Sequence, residues 1–447
     1  MKRIKLVSIS VIIILFVLTL IAFLLLCKTD IIDTASTEEA LMTEETAEFY
    51  EADIEELGIK AEKNNDGLTA ASRIEVDPES VSVNSTAESY IDKPDDIDLK
   101  IENIIKEESL ETKVSQLFIV TPEALTGKSS VSGKDEASKS KFKEFPVSGI
   151  IYMGQNLTGP DQTREMLEFF SECSKDTLGL PVFQAIDEEG GKVSRIANNS
   201  AFNKDNVGDM VEIGKTGDSE NAYEAGKYIG SYLSEYGFNL DFAPVADVIT
   251  VSGNKLMEKR SFGTDKDLVS QMDLEFSRGL KVENVLSCAK HFPGHGNTVE
   301  DSHKGYAVSD KTIQELEETE LVPFKAETGS GISMIMAGHI SLPKITGDMT
   351  PSSLSPQIIQ GILRNEMGYD GIVITDAMNM GAIVNNYSES EATVLAIEAG
   401  CDIILSPVNM EKARQAIIDA VESGEINERR IDESLRRIYR VKLQMQN

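Results

Sequence analysis

The chain has 447 residues and a formal net charge of −32, with 43 Lys and Arg against 75 Asp and Glu. That balance argues against a nucleic-acid partner, because no stripe of Lys and Arg exists to neutralise phosphates. Four cysteines without metal-ligand spacing predict no disulfide framework and no cysteine metal site.

The basic end MKRIK (residues 1–5) precedes LVSISVIIILFVLTLIAFLLLC, 22 uncharged and mostly apolar residues over 6–27. Such a run is long enough to cross the hydrocarbon as a helix. Lys2, Arg3 and Lys5 would hold the short end in the cytoplasm, so the segment reads as a transmembrane signal anchor with the rest of the chain outside the cell. A cleaved signal peptide, giving a secreted form, is the rival; its apolar core is normally shorter and ends at a small-residue site. Leu26 before Cys27 does not suit lipid attachment at that cysteine. Residues 28–100 carry roughly half of the excess negative charge and few aromatics. Too little apolar surface is available there to offset ordering, so this stretch is expected to be an acidic flexible linker. Asn84-Ser85-Thr86 matches a glycosylation acceptor, a pattern common by chance.

From residue 101 to 447 apolar runs alternate with helix-like segments. Candidate strands fall at 114–120, 147–153, 181–187, 240–248, 285–291, 332–339, 371–377 and 402–406. Between them lie helical stretches such as 161–176, 219–237, 268–284 and 355–368, several closed by Gly or Asn. Apolar strands separated by crossover helices imply a parallel sheet. Eight such units predict an α/β fold of the (β/α)8 TIM-barrel type. No Gly-rich phosphate loop follows the first strand, which counts against a dinucleotide cofactor. The Ser/Lys-rich stretch from Pro122 to Lys143 is expected to be a loop insertion.

A barrel of this kind places its site at the C-terminal strand ends. Asp187, Asp247, Lys290, His291, His339 and Asp376 all fall there. Three of the four histidines lie in KHFPGHGNTVEDSHKG, residues 290–305. Pro293 and Gly294 make a helical pair of metal ligands at His291 and His295 a poor fit. A metal-dependent hydrolase using His291, His295, Asp301 and His303 stays open as a minor alternative, since irregular loops also converge ligands. The spacing Asp301-Ser302-His303 instead suits a carboxylate that holds one ring nitrogen while the other faces a substrate. No serine or cysteine nucleophile motif accompanies it. Asp376, at the mouth of GIVITDA, is the best partner.

KHFPGHGNTVEDSH resembles the signature of the family 3 glycoside hydrolases, in particular their β-N-acetylglucosaminidase branch. AIDEEGGKVSRI, GFNLDFAPVADV, KRSFG, MAGHISLP and ITDAMNMGAI resemble other motifs of that family in the same order, over about residues 100–445. The resemblance implies Asp376 as nucleophile, His303 as acid/base and Asp301 as the group that orients it. It also implies that Asp187, Arg195, Arg260, Lys290 and His291 bind the sugar before the scissile bond, with no metal and no cofactor. The expected reaction is double displacement with retention. The expected substrate is a carbohydrate, terminal N-acetylglucosamine (GlcNAc) on peptidoglycan fragments or muropeptides. Chitooligosaccharides, a GlcNAc phosphorylase and a non-catalytic wall-binding receptor are the alternatives.

Overall fold

The computed structural model describes residues 96–446 apart from Glu300. The expected anchor over 6–27, most of the expected linker and the Asn84 acceptor lie outside the described residues. Among those described, no helix is long and apolar enough to cross a membrane.

Eight parallel strands form one sheet: β1 (Phe118–Val120), β2 (Gly149–Ile151), β3 (Phe183–Ile186), β4 (Leu240–Asp241), β5 (Leu286–Phe292), β6 (Met334–Ala337), β7 (Ile372–Thr375) and β8 (Ile404–Leu405). They stand side by side in chain order. β8 pairs with β1 through Phe118–Ile404 and Ile119–Leu405, and Ile374 bridges Ile403, so the sheet curls into a nearly closed barrel. Nearly every strand residue is buried, as strands covered on both faces must be. This α/β architecture agrees with a TIM-type domain. Small two-stranded ribbons at 188–194 and at 307–308 with 340–341 decorate the strand ends.

Helices link the strands, and their ends follow the chain's own chemistry. Pro160 opens the helix Pro160–Leu178 and Gly179 closes it in the left-handed conformation. Asp265 caps Lys266–Val282 by accepting from the amides of Asp267 and Leu268. The stretch from Pro122 to Lys143 is not an unstructured insertion: it holds helix Pro122–Thr126, capped by Thr121, and most of helix Glu136–Glu144, capped by Asp135. Most of its Ser and Lys residues are exposed, whereas Ser138 and Phe142 are fully buried. The fourth strand is also shorter than expected. Pro244 lacks the N–H that a ladder requires, and beyond Asp241 only Val245 bridges, to Lys290.

The body begins before residue 101. Helix Asp96–Glu107 packs against the last helix, Glu428–Gln444, through Arg436–Glu102 and Arg440–Asp98 ion pairs at 2.5 Å each. Cys173, Cys288 and Cys401 are buried and unpaired.

Two acids are buried where helices Lys266–Val282 and Leu321–Ser330 meet. Among the described residues Asp273 has no hydrogen-bond partner, whereas Glu327 accepts from Ser277 Oγ at 2.8 Å and Ser330 Oγ at 3.4 Å. Burial pushes Glu327 up to about 7. A carboxyl raised in the folded state stabilises fully below its unfolded pKa, and that contribution disappears as pH climbs through about 7. Glu327→Gln should therefore raise stability near pH 8 by on the order of 2 kcal/mol and flatten the fall in Tm between about pH 5 and 8. Thermal unfolding across that range checks it; an unchanged slope refutes the assignment.

Candidate active site

The end of β3 supplies three consecutive acids with three different tasks. Asp187 accepts from Lys290 Nζ at 2.9 Å and from the Arg195 guanidinium at 3.3 Å. Glu188, wholly buried, accepts from the amides of Arg195, Ile196 and Ala197 and from the Tyr232 hydroxyl. It thereby fixes the turn that carries Arg195. Glu189 receives Arg260 at 2.7 Å on each oxygen and Lys290 at 2.6 Å. Burial alone would push the Glu189 carboxyl up, but the cations of Arg260 and Lys290 hold it far below the usual carboxylate range.

β5 carries a register shift between Lys290 and Phe292 where it pairs with β6. A bulge of this kind re-aims side chains at a strand end, and here both Lys290 and His291 reach the barrel mouth. Burial would strip the proton from Lys290, but Asp187 and Glu189 outweigh it and raise the pKa above the ordinary lysine value. His291 Nδ1 lies 2.7 Å from Asp247 Oδ2, and its Nε2 faces the Arg260 guanidinium at 3.4 Å. Arg260 only donates, so Nε2 is the accepting nitrogen and Nδ1 carries the proton toward Asp247. Asp187, Arg195, Arg260, Lys290 and His291 thus form one connected ion-pair and hydrogen-bond network.

The loop after β5 separates the clustered histidines. His295 is buried, with Nδ1 at 2.6 Å from Thr298 Oγ1 and Nε2 at 2.9 Å from Ser302 Oγ. Desolvation lowers its pKa to about 4, so this imidazole is a neutral strut at neutral pH. Gly296 makes the turn possible: a Cβ there would meet the carbonyl oxygen of Val248 at 1.9 Å. Among the described residues no three His, Cys, Asp or Glu side chains gather as metal ligands, and His291, His295 and His303 each have separate partners.

Asp301 and His303 pair as their spacing predicts. Asp301 Oδ1 accepts from the His303 amide at 3.0 Å and lies 2.9 Å from its Nδ1. Among the described residues Nε2 has no partner, on a side chain that is 58% exposed. Burial pushes Asp301 up, but bonds from the His303 amide and ring outweigh this and lower it.

Asp376 follows β7, its amide bound to Ala337 O at 2.8 Å and its Oδ1 accepting from the Ala377 amide at 2.7 Å. Desolvation would protonate it, yet the imidazoles of His291 and His339, the Ala377 amide and Lys290 keep the pKa below the ordinary aspartate value. His339 holds this turn: Nε2 donates to Ala377 O at 3.1 Å, and Nδ1 lies 2.7 Å from Ser353 Oγ. The loop that carries Asp301 and His303 docks on the same turn. The amides of Gly381 and Ala382 donate to the carbonyls of His303 and Ser302 at 3.1 and 3.0 Å. Only glycine permits that approach, since a Cβ at residue 381 would stand 2.6 Å from His303 O.

Glu188, Glu189, Asp247 and His339 emerge as site residues from the structure. Asp247 and His339 were legible as polar residues at strand ends, without a task. Glu188 and Glu189 were visible only as part of a DEE run; their partners Tyr232 and Arg260 stand 44 and 71 residues away.

Residues 109–441 match the glycosyl hydrolase family 3 N-terminal domain. The chain is 30% identical over 326 residues to "Beta-hexosaminidase A" of Pseudoalteromonas piscicida, covering 68% of this chain and 54% of that one. A solved family 3 β-N-acetylglucosaminidase from Paenibacillus superposes with a TM-score of 0.71 at 35% identity, over 76% of this chain and 63% of the other. A family 3 glycosyl hydrolase structure from Mycobacterium smegmatis gives a TM-score of 0.65 at 29% identity, over 76% of this chain and 98% of that one. The chain therefore spans about half the length of the Pseudoalteromonas relative, while the barrel that bears the network is matched in full by the family domain. The protein belongs to glycosyl hydrolase family 3.

Proposed function

We propose that the protein is a retaining β-N-acetylglucosaminidase that removes terminal GlcNAc from peptidoglycan fragments. One observation carries this reading: a partly buried carboxylate, Asp376, on a turn against which the backbone of His303 is docked. Asp376 attacks the anomeric carbon while His303 Nε2–H protonates the departing oxygen. Neutral His303 then takes a proton from the water that hydrolyses the glycosyl-enzyme. Asp301 keeps the Nδ1 proton in place and stabilises the imidazolium between these steps. Asp187, Arg195 and Arg260, half-buried, and Lys290 and His291, buried, supply charge-assisted hydrogen bonds to the sugar hydroxyls and the acetamido group. Names of the relatives support the hexosaminidase class, and the apolar run over 6–27 supports a body tethered outside the membrane, where wall fragments are met.

Nitrophenol release from an aryl β-GlcNAc glycoside by the full chain tests the reading, with product configuration followed by NMR. A β-configured first product and a strong loss in His303→Ala are expected. That loss should shrink for leaving groups of low pKa, which need no proton. An α-configured product, or equal loss for all leaving groups, refutes it. Phosphate in a parallel reaction separates hydrolysis from phosphorolysis: GlcNAc 1-phosphate as main product would replace the hydrolase assignment.

A further inference from the structure

Glu320 ends the acidic run ELEETE, residues 315–320, and differs from its neighbours. Glu315, Glu317 and Glu318 are exposed, whereas Glu320 is fully buried. A buried carboxylate is costly unless its oxygens are bonded, so the partners it takes are informative. Glu320 stands at the N-cap position of helix Leu321–Ser330, yet its side chain makes no capping bond. Its bonds go instead to loops of the barrel mouth. Thr250 Oγ1, in the loop after β4, donates to Oε1 at 2.8 Å. Lys311 Nζ, which follows the loop that carries Asp301 and His303, donates at 2.5 Å to Oε1 and at 2.7 Å to Oε2.

These contacts bracket that loop. At its entry the side chain of Glu320 backs against Gly294, where a Cβ would stand 2.7 Å from the Cβ of Glu320. The Thr250 amide donates to Gly296 O at 3.2 Å, so the residue bonded to Glu320 in turn holds the backbone just past His295. At the exit Lys311 is held directly. The two stems also meet each other: Asn297 Nδ2 donates to Ser309 Oγ at 2.5 Å, and the same oxygen accepts from the Lys311 amide at 3.4 Å. One buried carboxylate thus secures both ends of a loop whose middle carries the exposed imidazole.

The ends matter more than the middle for where that imidazole stands. Asp301 and His303 pair locally and would stay paired in a displaced loop, whereas their placement relative to Asp376 depends on where the loop begins and ends. A displacement of about 1 Å is enough to cost on the order of 10²-fold in rate. We propose that Glu320 is a positioning residue of the reaction: through Gly294, Thr250 and Lys311 it sets the place of His303, while its own burial keeps it from the substrate. The inference rests on the acid/base reading of His303.

Leaving-group dependence and hydrogen exchange test it together, in the full chain. Glu320→Gln keeps the shape and an acceptor for Thr250 but gives up the ion pair with Lys311, whose partly exposed ammonium water can solvate. Lys311→Gln weakens the same link from the other side and keeps the test available if Glu320→Gln unfolds. Each variant should lower kcat/KM about 30-fold for an alkyl β-GlcNAc glycoside and about twofold or less for the dinitrophenyl glycoside, whose leaving group needs no proton. In a His303→Ala background the further loss should vanish, since nothing is left to place. Amide exchange should quicken over 297–309 and stay unchanged over 187–195. Where His303→Ala itself discriminates between leaving groups, an equal loss for both substrates or a loss additive with His303→Ala overturns the assignment, and unchanged exchange over 297–309 overturns it in every case. If His303→Ala does not discriminate, the acid/base reading falls, and quickened exchange over 297–309 still upholds Glu320 as the clamp of the loop.

Discussion

Asp376→Ala should lower turnover of an aryl β-GlcNAc glycoside by on the order of 10⁴-fold, because the covalent route is lost with its nucleophile. The folded state should survive, since the carboxylate's bond is to the adjacent amide of Ala377. Azide distinguishes a nucleophile from a merely electrostatic carboxylate. With the side chain shortened, azide can occupy the vacated face and attack the anomeric carbon, giving the α-glycosyl azide and restoring part of the rate. Attack from that face inverts the centre once, whereas the proposed double displacement inverts it twice. The pH dependence follows from the same surroundings. Desolvation is outweighed at Asp376 by the neighbouring imidazoles, amide and ammonium, so its pKa is lowered and the acid limb of kcat/KM should fall below the ordinary aspartate range. Recovery of no azide product, or an acid limb well above pH 5, would place the nucleophile elsewhere.

Much of this arrangement is written locally. Each barrel strand is a short apolar run bounded by turn residues, and burial on both faces leaves little alternative; each of the eight candidates overlaps a strand of the sheet, although the first begins in helix Leu110–Ser115. The Asp301–His303 pair is equally local, because alternate residues in a turn converge without help from the rest of the fold. What composition and spacing leave open is any pairing that depends on the ring being formed. Lys290 meets Glu189 only because β3 and β5 flank the short β4, and Glu189 meets Arg260 only because the loop after β4 returns over the mouth. Clustering also conceals differences among neighbours. His291, His295 and His303 look alike in sequence, but burial separates them: His291 is held between Asp247 and Arg260, His295 braces its loop, and His303 alone is exposed.

Lys290→Met is expected to damage stability and activity together, and the two losses have separable causes. The ammonium is the shared cation of Asp187 and Glu189, at 2.9 and 2.6 Å, and is almost wholly buried. Removing it leaves Glu189 with Arg260 alone inside the protein, and breaking a buried ion pair costs about 3–5 kcal/mol because the remaining charge is not solvated. Chemical denaturation should show that loss, while kcat/KM should fall on the order of 10³-fold if the same ammonium binds the sugar. A compensating change tells the causes apart. Glu189→Leu removes the stranded carboxylate, so the double variant Lys290→Met with Glu189→Leu should regain stability relative to Lys290→Met, in line with the frequent near-neutrality of replacing buried ion pairs by apolar groups. Activity should not return with it, because the sugar still lacks its ammonium and Arg260 has lost the carboxylate that aims it. If activity did recover alongside stability, Lys290 would be no more than a counter-ion, and the contact between this lysine and substrate would have to be abandoned.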